Sequence, residues 1–290
     1  MHKKPFHRGS GDRHPFKRPG DSFGARRPAS PKPRTPREPR AEDPAMAPRE
    51  DLVFGRRPVF EVFEANQRSI HKLWVVKGTN GGIVEKTLQY ARDRGIPIEW
   101  TMWEWLDRTV QSGHHQGIAA QVSAATLQEL DDFIEKLGPT ADALLIALDE
   151  IQDPQNVGAI LRSAGFFGVN GAILPRWRSA PVSEAAVRVS SGAIEYVPLI
   201  RVRNLSDSLL QLKDAGFQII GADMDGVPLS TLKPFGRRVL VLGSEESGMR
   251  RLVSERCDKL VGIPRRGKLD SLNVGAATAI FLYEFFRHQA

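Results

Sequence analysis

From residue 142 onward the chain alternates short apolar runs with stretches of helical spacing. Residues 143–148, Ala-Leu-Leu-Ile-Ala-Leu, are apolar throughout, the pattern of a strand buried on both faces. Similar runs at 171–174, 196–200, 217–222, 239–242 and 259–263 predict five more strands. Between them lie predicted helices at 157–167, 183–191, 205–215 and 249–256. Ser183 and Asn204 stand at helix starts as caps, and Gly216 stops the helix at 205–215. Pro198 argues that its strand is an edge or is ending. A last helix, at 273–287, is apolar around most of its surface. Repeated strand–helix units of this kind predict a parallel, doubly wound sheet, in which ligands sit beyond the carboxyl ends of strands.

Ahead of this region the alternation is shorter. Strands are expected at 72–76, 96–100 and 118–122, and helices at 59–66, 83–94 and 103–109, which gives a small α/β module over residues 51–125. His114-His115-Gln116-Gly117 reads as a polar turn before the third of these strands rather than as metal or base chemistry. Residues 126–141 are polar, with Leu127, Leu130, Ile134 and Leu137 at helical spacing and Gly138-Pro139 at the end, and read as a linker.

Residues 1–50 show no such pattern. They hold 10 of the 20 prolines, with 13 Lys and Arg against 6 Asp and Glu. So few aliphatic side chains cannot offset chain entropy, and the segment is expected to be a disordered basic tail, either solubilising or a phosphate-binding arm. The other 240 residues carry 28 charges of each sign, so the net charge of +7 belongs to the tail. Cys257 is the single cysteine, which excludes an intrachain disulfide and a cysteine zinc cluster and fits a reducing cytoplasm. No run approaches the roughly 18 apolar residues of a membrane span.

Three loops that follow predicted strands carry the candidate chemistry. The first runs Asp153-Pro154-Gln155-Asn156 into a helix that bears Arg162. Asn156 at that position is also a possible N-cap. The second is Gly243-Ser244-Glu245-Glu246-Ser247-Gly248, with a carboxylate between glycines near a helix start. It lacks a full dinucleotide fingerprint and a Walker lysine. The third, residues 263–275, brings Arg265, Arg266 and Lys268 to Ser271-Leu272-Asn273, where Ser271 or Asn273 is placed to cap the terminal helix.

In this order the three loops resemble the signature motifs of the SpoU branch of the SPOUT methyltransferases. These enzymes move a methyl group from S-adenosylmethionine (AdoMet) to an RNA ribose 2′-hydroxyl. The resemblance runs from about Asp142 to the C-terminus, and residues 52–125 are similar to the L30e-like substrate-binding domain that precedes the catalytic domain in that family. Within the family the wording Ser271-Leu272-Asn273-Val274 is most similar to the enzymes that methylate a guanosine of 23S rRNA; the tRNA-modifying TrmH-like enzymes, or an RNA-binding assembly protein without catalysis, are the alternatives.

The resemblance implies a trefoil-knotted catalytic domain at 142–290, a homodimer, and RNA as partner, with AdoMet and no metal. It implies that Asn156, Arg162, Glu245, Ser271 and Asn273 line the site, and that Gly243, Ile263 and Leu272 contact the cofactor. Arg162 is often given the role of base in such enzymes, but a guanidinium stays protonated and has no acceptor, so a role in holding phosphate or developing oxyanion charge is chemically sounder. Glu245 is expected to hold Asn156 or Arg162, and Ser271 to relay a proton or cap the helix. Two positions depart from the commonest pattern: Glu246 replaces a glycine and is expected to point away, and Gly275 replaces a small side chain at a cost of about 1 kcal/mol in helix propensity. For RNA contact the candidates are Arg56, Arg57, Lys72, Arg176, Trp177, Arg178, Arg188, Arg250, Arg251, Arg265, Arg266 and Lys268.

Overall fold

The computed structural model describes residues 52–138, 142–176, 186, 189–232, 236–269 and 271–287. The basic tail and most of the helix expected at 183–191 lie outside them, as do Trp177, Arg178 and Arg188.

The first part contains β1 (Leu52–Phe54), α1 (Arg56–Ala65), β2 (Ile70–Val76), α2 (Gly82–Asp93), β3 (Ile98–Thr101), α3 (Trp103–Val110) and β4 (Ile118–Val122). The strands form a four-stranded sheet in the order β1-β4-β2-β3. Val59, Val62 and Phe63 of α1 recur at helical spacing and are fully buried with Leu73 and Val75 of β2. Leu106 and Val110 of α3 join a separate cluster with Trp74 and Val76.

Residues 126–141 do more than connect. They supply β5 (Leu127–Gln128) and α4 (Leu130–Leu137), and β5 pairs in parallel with Leu199 and Ile200 of the large sheet. The remaining elements are β6 (Leu144–Leu148), α5 (Pro154–Phe166), β7 (Gly171–Pro175), a 3-10 turn at Ala193–Glu195, β8 (Leu199–Val202), α6 (Leu205–Asp214), β9 (Gln218–Pro228), β10 (Arg238–Leu242), α7 (Arg251–Arg256), β11 (Lys259–Gly262) and α8 (Val274–Phe286). Seven strands line up as β11-β9-β10-β6-β7-β8-β5, and the pairings between neighbours are parallel.

The strand boundaries follow the apolar runs within a residue or two, with two exceptions. Pro198 precedes β8 rather than sitting in it, its carbonyl accepts a hydrogen bond from Ala172, and β8 is flanked by β7 and β5 and is no edge. The strand expected to end at residue 222 continues as β9 to Pro228, where its register against β11 shifts between Leu260 and Val261.

The winding direction changes between β6 and β10. From β6 the chain goes to β7 and β8 on one side; β10, β9 and β11 lie on the other. The C-terminal ends of β6 and β10 stand side by side, Leu148 opposite Leu242, and Asp149 N–H donates to the Leu242 carbonyl at 2.8 Å. This is the switch point at which open α/β sheets form a crevice. Helices α5 and α8 pack against each other, with Val157, Ile160, Leu161, Phe281, Leu282 and Phe285 buried in one cluster. Each such side chain contributes about 1.5–3 kcal/mol relative to exposure.

The two parts also meet through polar groups, some of them buried. Arg68 and Glu195 form an ion pair at 3.0 Å in which both side chains are nearly inaccessible, and Tyr196 donates its hydroxyl hydrogen to Glu61 at 2.5 Å. Burial pushes the Glu195 carboxyl above its ordinary value, against the opposing pull of Arg68.

Candidate active site

Three chain segments converge at the crevice. The first is the start of α5. Asp153, not Asn156, caps this helix: its carboxylate accepts the Gln155 N–H at 2.9 Å, and Pro154 occupies the first helical position. Asn156 therefore lies inside the first turn with its amide available for other bonds. The second segment is the tight loop after β10, closed by a two-way backbone bridge between Ser244 and Gly248. A Cβ on Gly243 would stand 2.2 Å from the Gly248 carbonyl carbon, so only glycine permits that closure. The third is the start of α8, which residues 263–273 reach by returning from the sheet-edge strand β11.

The polar groups at the junction bond one another. Glu245 Oε1 accepts three hydrogen bonds: from Asn156 Nδ2 at 3.1 Å, from Asn273 Nδ2 at 2.8 Å and from Val274 N–H at 3.1 Å. Asn273 Nδ2 also donates to Asn156 Oδ1 at 2.9 Å, and Asn273 Oδ1 caps α8 by accepting from Gly275 N–H at 3.0 Å and Ala276 N–H at 3.4 Å. The carboxylate thus sits at the positive end of α8. Cap and hub are fused: the asparagine that terminates the helix is the one that joins the other two motifs.

A second clamp lies beneath. Asp149, fully buried, accepts from Arg250 N–H at 2.8 Å and Arg250 Nε at 2.8 Å, and its Oδ1 is 2.7 Å from the second guanidinium nitrogen. It ties the end of β6 to the loop after β10. Sequence reasoning missed Asp149 and assigned Arg250 to RNA. The available signal was a charged residue at the carboxyl end of an apolar strand, where an unpaired carboxylate is too costly to bury.

The Arg162 side chain is exposed and makes no hydrogen bond or ion pair among the described residues. Of the two partners expected for Glu245, it holds Asn156 and not Arg162, and it holds Asn273 as well. Ser271 is likewise exposed, and Asn273 takes the cap that either residue was placed to form. Glu246 is exposed and has no partner among the described residues. Gly275 acquires a reason. A Cβ there would lie 2.6 Å from Ala159 Cβ and 3.1 Å from Asn273 Oδ1, so a side chain would push α8 from α5 and crowd the cap. Of the basic candidates, Arg57 pairs with Glu61, Lys72 with Glu99 and Arg251 with Glu255. Among the described residues no group of three or more His, Cys, Asp and Glu converges on a metal-sized site, and no helix is long and apolar enough to cross a membrane.

The comparisons with known proteins fall on the same segments. Residues 143–283 match the SpoU rRNA Methylase family, and residues 52–128 match the family described as RNA 2′-O ribose methyltransferase substrate binding. The chain is 35% identical over 253 residues to the putative TrmH family tRNA/rRNA methyltransferase YacO of Bacillus subtilis, covering 83% of this chain and 97% of that one. This chain belongs to the SpoU/TrmH family of tRNA/rRNA methyltransferases. An uncharacterized tRNA/rRNA methyltransferase of Mycolicibacterium gilvum is 40% identical over 242 residues, 82% of this chain and 77% of its own length. Among solved structures, the AdoMet-bound rRNA methyltransferase of Sinorhizobium meliloti superposes with a TM-score of 0.69 at 25% identity, covering 82% of this chain and 87% of that one.

The residues around the third segment fit AdoMet as a methyl donor. An adenosine needs apolar walls beside free main-chain groups. Ile263 is half-buried against the core, and Leu269 and Leu272, in the segment that leads to Asn273, are 82% and 49% exposed. Main-chain groups of residues 266–269 make no backbone–backbone hydrogen bonds among the described residues.

Proposed function

We propose that this protein is an AdoMet-dependent RNA ribose 2′-O-methyltransferase whose target is a guanosine of 23S rRNA. The observation that carries the reading is the bonded triangle of Asn156, Glu245 and Asn273, one residue from each of three motifs far apart in sequence, set at the switch-point crevice. Family membership, the matched substrate-binding module and the AdoMet held by the S. meliloti relative support it.

Bound AdoMet would supply an electrophilic methyl on a sulfonium. Ile263 and Leu272 would wall its adenosine, with main chain near Gly243 closing the site. The protein's own work is to orient and to manage one proton. Arg162, with no partner to release, is available to grip the target phosphate and stabilise negative charge growing on the 2′-oxygen. Glu245 is the organiser: three donors on one oxygen hold both asparagines. Ser271, exposed two residues before Asn273, would relay the hydroxyl proton, accepting it as its own hydrogen passes to water.

The same reading makes the protein a cytoplasmic homodimer with a basic tail at residues 1–50, a small RNA-binding domain at 51–125, a connecting segment at 126–141 and a trefoil-knotted catalytic domain at 142–290. The return from edge strand β11 to the central crevice supports the knot reading. Exposed Ile280 and Tyr283 on α8, with Phe166 at 83% exposure on the adjoining α5, provide an apolar face for a second copy. Mapping 2′-O-methyl marks in total RNA from a deletion strain tests the target: a missing guanosine mark in 23S rRNA is expected, and a missing tRNA mark with intact rRNA refutes it.

A further inference from the structure

The turn 113–117 and the starts of α1 and α3 enclose an open depression of about 520 Å³, lined by Arg56, Trp103, Gly113, His114 and Gln116. This lies within the usual range of small-ligand clefts, roughly 300–1,000 Å³. It belongs to the small module, whereas the polar hub is built wholly from residues 156–275.

The depression is held open by groups that are themselves fixed. His115 is fully buried; its Nδ1 accepts the Gly117 N–H at 2.9 Å, which leaves the proton on Nε2, 3.0 Å from Asp107 Oδ1. Its ring packs on Trp103 at 4.7 Å between centroids and leaves that indole 45% exposed. The histidine doublet thus divides: His115 is a prop for Trp103, and His114 is exposed on the rim. Gln116 is held in the left-handed region at φ 54°, an uncommon conformation for a residue with a side chain. Its side-chain oxygen accepts the Arg56 N–H at 3.0 Å, and its carbonyl accepts from Arg56 Nε at 3.3 Å. The Gln116 amide nitrogen has no partner among the described residues, and Arg56 makes no ion pair among them. Trp100 and Met102, immediately before Trp103, are 48% and 58% exposed.

We infer that this depression docks one unstacked nucleotide of the RNA substrate, its base against Trp103 and its phosphate on Arg56. The inference rests on the RNA-substrate reading above and adds a second contact point to it. The chemistry is specific in kind. An aromatic face is sequence-tolerant toward any base, a guanidinium free of carboxylates suits a phosphate, and an unpaired amide N–H meets an acceptor on a base edge. A duplex is disfavoured, because its stacked bases offer no face to the indole.

Ultraviolet cross-linking of the full-length protein to a 23S rRNA transcript, followed by peptide mass spectrometry, tests this directly. A nucleotide adduct at Trp103 or His114 is expected; adducts confined to residues beyond 142 would overturn it. The double variant Arg56→Ala/Trp103→Ala is expected to bind the transcript about 10-fold more weakly with AdoMet binding by calorimetry unchanged, and Trp103→Phe to keep most of the affinity. Arg56→Ala alone, a surface change, should lower the slope of log affinity against log salt by about 1. Unchanged affinity and slope in these variants refute the inference even if methylation proceeds. Adducts at Trp103 in a protein that transfers no methyl group would instead refute the proposed enzyme and leave the docking site standing.

Discussion

Asn273 Nδ2 lies 2.8 Å from Glu245 Oε1, although a helix, strand β11 and a returning loop separate the two residues in the chain. The contact joins the helix cap to the loop after β10. Glu245→Ala removes the acceptor of three donors; the site is exposed, so water compensates in part, and a loss of about 1 kcal/mol is expected. For a domain of this size that lowers Tm by about 2–4 °C. Methyl transfer is expected to fall far more, by at least about 100-fold, because both asparagines lose their common anchor. Near-normal turnover in a folded Glu245→Ala protein contradicts the organising role.

Gly275→Ala pits two effects against each other. Helix propensity favours alanine by about 1 kcal/mol. The new methyl would lie 2.6 Å from Ala159 Cβ, an atom without a rotamer to move, and such overpacking costs about 1–3 kcal/mol. A net loss of stability and a weaker Asn273 cap are expected. A raised Tm by calorimetry shows that α5 and α8 separate easily.

Asp149 and Arg250 are unequal partners. Asp149 is fully buried and Arg250 has 39% of its side chain exposed. Arg250→Ala strands a buried carboxylate, and breaking such pairs costs up to about 3–5 kcal/mol. Asp149→Asn leaves a guanidinium that water can reach and keeps one acceptor for the Arg250 N–H. Arg250→Ala is therefore expected to be the more destabilising in urea melts; the reverse order shows that the pair's burial is not what matters.

These contacts also mark what the sequence made legible. Strands β6 and β10, helix α6 with its Asn204 cap, and the three loops could be read from apolar periodicity and polar punctuation. The bonded hub could be read only in part: the resemblance offered Asn156 or Arg162 as the partner of Glu245, but Asn156, Glu245 and Asn273 are 28 to 117 residues apart, and their pairing depends on a strand order that periodicity does not encode. The reason for Gly275 lies in Ala159, on another helix. β5 escaped notice because its two residues sit in a segment of helical spacing and form a strand only through β8.

At the junction of the two sheets, Arg68→Ala is expected to destabilise by about 3–5 kcal/mol, while the apolar double variant Arg68→Met/Glu195→Leu is expected to be near neutral. The pH dependence follows from the raised Glu195 carboxyl. An acid raised on folding contributes stability below its unfolded value, and that contribution fades as pH rises through the folded value. The stability of the wild type relative to Glu195→Gln should therefore decline as pH rises above the ordinary carboxylate value of about 4; a rising difference would mean that Arg68 outweighs burial.

The most direct measurement is transfer of a radiolabelled methyl group from AdoMet to a 23S rRNA transcript by the purified full chain, with the product hydrolysed in alkali. A 2′-O-methyl guanosine leaves the label in an alkali-resistant dinucleotide, and Arg162→Ala, folded and AdoMet-binding, leaves none. Label released as a mononucleotide, which means base methylation, or full transfer by Arg162→Ala, contradicts the account.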